Sequence, residues 1–121
     1  MSVAVWAGVV VFGGVGAVLR FVVDRAVSAR VDGVFPYGTL AVNVSGALIL
    51  GLLSGLALSP HLALLFGTAL IGSYTTFSTW MLETQRVGEE RQGLPAAANI
   101  VVSVALGISA AAFGIWCGVR L

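Results

Sequence analysis

Four long apolar runs, at residues 3–23, 38–58, 61–82 and 94–118, leave this sequence few folds to choose from. A helix needs about 20 apolar residues, each rising about 1.5 Å, to cross the hydrocarbon of a bilayer. Each run is long enough. A lipid-exposed backbone must satisfy its own hydrogen bonds, so runs of this length are expected to be helices. The fold class that follows is an all-α membrane protein: a single domain over residues 1–121 with four transmembrane helices. Composition agrees, since 59% of the residues are hydrophobic and 9% charged, against roughly a quarter charged in soluble domains. No basic residue precedes the first run, so it reads as a retained span rather than a signal peptide.

The connecting segments carry an uneven charge. Residues 24–37 hold Arg25 and Arg30, residues 83–93 hold Arg86 and Arg91, and Arg20 closes the first run. The opposite side has only the short Ser59-Pro60 connection, the chain ends and Arg120. Basic loops stay in the cytoplasm. The expected placement is therefore a multi-pass cell-membrane protein with both termini outside and in one fixed orientation.

Several function classes fall away on composition. A net charge of +1 provides no basic stripe for nucleic acid. The lone Cys117 has no internal disulfide partner and no histidine cluster beside it. No nucleophile–base pair or metal-ligand set is evident, so the chain does not read as an enzyme.

Glycine is abundant, with 16 residues, mostly inside the spans. Small residues let helices approach closely in lipid. Gly51 and Gly55 form a GxxxG pair, and Asn99, Ser103, Gly107, Ala111 and 114–118 give the fourth run one small, partly polar face. Such a face suits helix packing inside the subunit or across a subunit boundary. Four helices enclose little space, so a pore would need two subunits.

The third run is the most unusual. After Gly72 it reads Ser73-Tyr74-Thr75-Thr76-Phe77-Ser78-Thr79-Trp80, six hydroxyls in seven residues from Ser73 to Thr79. Serine and threonine bond back onto a helix and bend it, and β-branched residues weaken it. A break in the third helix at mid-membrane is expected. It would expose carbonyls that suit cations and amides that suit anions. Phe77 and Trp80, three residues apart, offer electropositive ring edges on one side. Arg20 and Asn43 are the other polar residues in or beside hydrocarbon, where such groups serve function, snorkel or bond between helices.

Three stretches resemble the Fluc (CrcB) family of fluoride-specific ion channels. Gly13 to Arg20 resembles that family's glycine-rich first-helix element, Gly38 to Gly46 its GTLxVNxxG element, and Gly72 to Trp80 its GxxTTFST segment. The resemblance implies an antiparallel, dual-topology-type dimer with two narrow fluoride pathways. It also implies a structural Na+ at the dimer centre, held by backbone oxygens of Gly72 and Thr75. On the same footing Asn43, Phe77, Ser78, Thr79 and Ser103 belong to the fluoride pathway, Arg20 to its aqueous mouth, and Glu83 to an acidic position beyond the aromatics. The family's second pore aromatic is usually phenylalanine, and Trp80 stands there in this sequence. Asn99 and Gly107 depart similarly where further hydroxyls would be expected.

The function expected is passive export of fluoride from the cytoplasm. A dry pore must replace fluoride's tightly held water, and hydroxyls, amides and aromatic edges supply the donors. Two rivals are a proton-coupled small multidrug transporter and a non-transporting membrane assembly subunit. The first needs a membrane carboxylate, and the first, second and fourth runs contain none. The second leaves the hydroxyl–aromatic segment unexplained. A chain fixed in one orientation cannot pair antiparallel with itself, so the expected partner is an oppositely oriented paralogous subunit.

Overall fold

The computed structural model of the chain describes residues 2–90 and 93–121. Among them the helices are α1 (Val3–Ser28), α2 (Tyr37–Leu56), α3 (residues 60–74), α4 (Ser78–Glu89) and α5 (Gly93–Gly118), and there is no strand. Four helical stretches are long and apolar enough to cross a membrane: Val3–Ser28, Tyr37–Leu56, Pro60–Glu89 and Gly93–Gly118. The third of these joins α3 and α4.

The helix ends have local causes. Ser2 Oγ accepts the Val5 N–H at 3.3 Å and caps α1. Beyond the apolar run, α1 continues through Asp24 and Arg25 to Ser28. Likewise α4 passes Glu83 and reaches Glu89. Apolarity marks where hydrocarbon ends; Glu, Gln and Arg are good helix formers, and nothing in either segment stops the helix. Leu56 ends α2 because Ala57 enters the left-handed region (φ 53°, ψ 53°), a place usually given to glycine. Ser59 is then extended and Pro60 opens α3, its fixed φ suited to the first turn.

Much of the exterior is apolar, unlike that of a soluble protein. Val10, Val18, Val101 and Phe113 lie exposed along helices long and apolar enough to cross a membrane. Glycines occupy the contacts instead. A Cβ on Gly51 would overlap the Ala111 carbonyl, and one on Gly114 would overlap the Leu48 carbonyl. Gly55 and Gly118 repeat the arrangement one turn on. The two GxxxG-type faces of α2 and α5 therefore mesh within one chain. Between α1 and α3, Gly16 sits on the Leu70 carbonyl, and Phe12 meets Phe66 edge to face at 5.1 Å.

One end of the bundle gathers Asp24 and Ser28 against Gly38, the Thr39–Glu83 hydrogen bond, and Gly88 beside Ala96. Arg25, Arg30 and Arg86 belong to this end, whereas Arg120 closes α5 at the other. There its guanidinium lies 3.9 Å from the Trp116 ring centroid and donates to the Trp116 carbonyl at 2.9 Å. Arg91 lies outside the described residues.

Candidate functional site

The backbone leaves regular helix in the third span. Through Ala63–Ile71 it winds in the wider π form, and the Gly72 N–H reaches back to the Gly67 carbonyl. Such segments are rare and gather at functional places. Thr75 then swings to an extended conformation (φ −82°, ψ 165°), and helix resumes at Ser78.

An interruption of this kind frees backbone groups that lipid cannot satisfy. Asn43, one and a half turns into α2, meets both of them at Thr76. Its Oδ1 accepts the Thr76 N–H at 2.8 Å, and its Nδ2 donates to the Thr76 carbonyl at 2.8 Å. The side-chain amide stands where a neighbouring peptide would stand in a sheet. Thr76 Oγ1 in turn accepts the Thr79 N–H at 3.1 Å, in the manner of a helix N-cap.

These two bonds redirect donors away from α3. In a continuous helix the Thr76 N–H would bond to Gly72 and the Thr79 N–H to Thr75. Here the first goes to Asn43 and the second to Thr76 Oγ1. The Gly72 and Thr75 carbonyls thus lose their usual partners. Both residues line a hollow of about 320 Å³ that also includes Leu50, Thr68 and Ile71. Among the described residues no group of three His, Cys, Asp or Glu could hold a metal, so cation ligands here would be neutral oxygens.

Beyond the break, Thr76, Thr79, Trp80, Glu83 and Val87 recur at helical spacing on one side of α4. Three separate hollows border these residues. The first, about 300 Å³, lies under the 31–36 loop and is lined by Ser28, Gly38, Glu83 and Arg86. The next, about 150 Å³, is lined by Arg20, Asp24, Thr39, Thr76 and Thr79. The last, about 300 Å³, is lined by Asn43, Trp80, Ser103 and Gly107. Thr39 of the second hollow and Glu83 of the first are hydrogen-bonded, the buried Thr39 hydroxyl donating to Glu83 Oε1.

The site residues expected from sequence are thus distributed. Asn43, Trp80 and Ser103 share one hollow, Arg20 and Thr79 another, and Gly72 and Thr75 a third. Phe77 and Ser78 line none of these. Phe77 is 70% exposed and meets the Trp80 ring edge to face at 5.7 Å. Ser78 opens α4, whose N-terminus carries partial positive charge.

Other residues matter that were not assigned to the site from sequence. Asn99 is fully buried; its Nδ2 donates to Thr84 Oγ1 at 2.7 Å, and its Oδ1 accepts from Ser103 at 3.4 Å. Thr84 donates onward to the Trp80 carbonyl at 2.8 Å. Trp80 Nε1 makes a longer bond, 3.4 Å, to the Asn99 carbonyl. Thr39 had a legible signal, since it lies one turn before Asn43 on the same face of α2. The backbone role of Thr76 had none.

Residues 7–115 match the family described as CrcB-like protein, Camphor Resistance (CrcB). The chain belongs to that family. Among CrcB relatives, it is 61% identical over 116 residues to "Fluoride-specific ion channel FluC 2" of Mycobacterium tuberculosis, covering 96% of this chain and 92% of the relative. It is 67% identical over 113 residues to the protein of that name in Mycolicibacterium paratuberculosis, with 93% of each chain covered. "Fluoride-specific ion channel FluC 1" of Streptomyces avermitilis is 52% identical over 115 residues, or 92% of this chain and 93% of the relative. Membership and the four spanning helices make this CrcB chain a multi-pass membrane protein. The relatives' names describe channels, a class apart from enzymes.

Proposed function

We propose that this chain is one half of a passive, fluoride-selective channel that lets fluoride leave the cytoplasm by electrodiffusion. The observation that carries the reading is the three hollows that border Thr76, Thr79, Trp80 and Glu83, which we read as parts of one route from the arginine-bearing end to Asn43, Trp80 and Ser103. Hydroxyls, an amide and an indole line that route. Arg20 raises anion concentration at its mouth. Fluoride gives up water only where donors replace it, and the partial positive charge at the start of α4 adds to them. Phe77, exposed beside Trp80, and Ser78 at the head of α4 complete the route from its open side. The names of the relatives support the choice of ion.

The open sides of these hollows support a second subunit as the missing wall. We infer an inverted partner, with the α3–α4 break of each chain at mid-membrane. A structural Na+ between the two breaks fits the Gly72 and Thr75 carbonyls, whose helical donors are redirected. Such an ion would hold the two subunits together and would not be transported. The arginine bias, five residues on one side including Arg91 against Arg120 on the other, favours one orientation with both termini outside. The inverted partner is then a paralogue of opposite bias, and relatives bearing the numerals 1 and 2 fit such pairs.

Reconstitution in liposomes tests the reading. Fluoride efflux that follows the membrane potential is expected when the chain is combined with an oppositely biased relative. Efflux that needs a proton gradient would favour a coupled transporter. Absence of flux in every pairing would leave an assembly role. Conduction by this chain purified alone would reject the paralogous partner. Phe77→Ile is expected to abolish flux while the dimer persists; near-normal flux removes Phe77 from the pathway.

A further inference from the structure

Trp80 and Gly107 face the same groove from α4 and α5, together with Asn43, Ser103, Val104 and Ile108. Trp80 is held from behind: its carbonyl by Thr84, its indole N–H by the Asn99 carbonyl, and Thr84 itself by the buried Asn99 amide. The indole donor is therefore engaged with the protein, so what Trp80 adds to the groove over a phenylalanine is bulk. Gly107 has the opposite character. A Cβ built on it meets nothing within 4 Å, and the space it would enter is the groove. Glycine weakens a helix interior by about 1 kcal/mol relative to alanine, and close packing does not require it here. The contrast with Gly51 and Gly114, which sit on backbone, is complete.

We propose that Trp80 and Gly107 jointly set the width of this groove and thereby its discrimination among anions, with the Asn99 main-chain carbonyl holding the indole in place. The bulk of Trp80 narrows the passage from one wall, and the missing side chain at Gly107 restores clearance on the other. This rests on the channel reading above and assigns that reading's specificity to a particular pair.

A double-substitution cycle tests it in the conducting assembly, with fluoride and chloride efflux measured in parallel. Gly107→Val is expected to lower fluoride efflux, and Trp80→Phe in the same chain to restore it, a coupling of about tenfold that lies within the range for residues sharing a cavity. Trp80→Phe alone is expected to raise chloride flux relative to fluoride. Equal losses from Gly107→Val with and without Trp80→Phe would overturn the proposal, as would an unchanged chloride-to-fluoride ratio in Trp80→Phe alone. A second measurement does not depend on flux. With Trp6 and Trp116 replaced by phenylalanine, Trp80 is the only tryptophan of the chain, and Gly107→Val should shift its emission under tryptophan-selective excitation. An unshifted spectrum rejects the pairing even if the protein conducts. A shifted spectrum with no fluoride flux from the unsubstituted assembly rejects the channel reading and the specificity role while leaving the Trp80–Gly107 contact supported. Gly107→Ala replaces the valine if that variant is not monodisperse.

Discussion

The α2–α5 contact and the interrupted third span solve opposite problems with different chemistry. Where α2 meets α5, the backbones are regular helices and all the information is in what is missing: Gly51, Gly55, Gly114 and Gly118 remove side chains so that carbonyls of one helix lie on the other. Where α3 gives way to α4, the backbone is irregular and the information is in what is added: an asparagine amide and a threonine hydroxyl that take over hydrogen bonds the helix gave up. The first contact depends on shape and tolerates no volume. The second depends on matched donors and acceptors and tolerates no loss of polarity. Membrane proteins lack a hydrophobic drive between helices, and these two devices replace it.

Substitutions can break this comparison at either side. The largest effect is expected at Gly51→Leu, which forces a side chain into the Ala111 backbone. Overpacking of this kind costs about 3 kcal/mol, and the measurement is loss of monodisperse protein after extraction together with a lowered melting temperature. Asn43→Ala comes next. It removes both bonds to Thr76 and leaves a peptide unpaired, at a cost of about 2 kcal/mol. Amide exchange should rise at residues 75–78 while α2–α5 amides stay protected, and fluoride efflux should fall. Uniform exchange across both regions would show that the break and the glycine contact are not separable.

Smaller changes sharpen the distinction. Thr76→Val keeps the shape of the side chain and removes the cap on the Thr79 N–H, costing about 1 kcal/mol; Thr76→Ser should restore most of it, read by thermal melting. Gly14→Ala is the control for the glycine side. A Cβ there meets nothing within 4 Å, so the substitution should be neutral or stabilise by up to about 1 kcal/mol. A loss comparable to that at Gly51 would mean that glycine content, rather than close backbone approach, governs the fold.

Much of the architecture could be read from the chain, because each spanning helix must announce itself as a long apolar run. The interruption was readable too, since hydroxyls crowd residues 73–79 behind Gly72. The π winding of Ala63–Ile71 was not. Alanine, leucine and phenylalanine suit either winding, and only the tertiary contacts decide between them. The helix ends at Ser28 and Glu89 were hidden for the reason that charge limits burial in lipid without limiting helix. Asn43 stood out as polar, yet its partner is the backbone of Thr76, and a backbone group leaves no trace in a sequence. Asn99 looked like a departure from a hydroxyl pattern; three-dimensional proximity to Thr84 and Ser103 gives it a purpose.

The pairing of Asn43 with Thr76 also bears on biogenesis. Both partners belong to one polypeptide and are 33 positions apart, so the kink can close as soon as the second and third spans share the bilayer. No second molecule is needed for that step. The chain can therefore leave the insertion machinery with its irregular segment already shaped, and the inverted pairing proposed above would then join finished pieces rather than fold unfinished ones together.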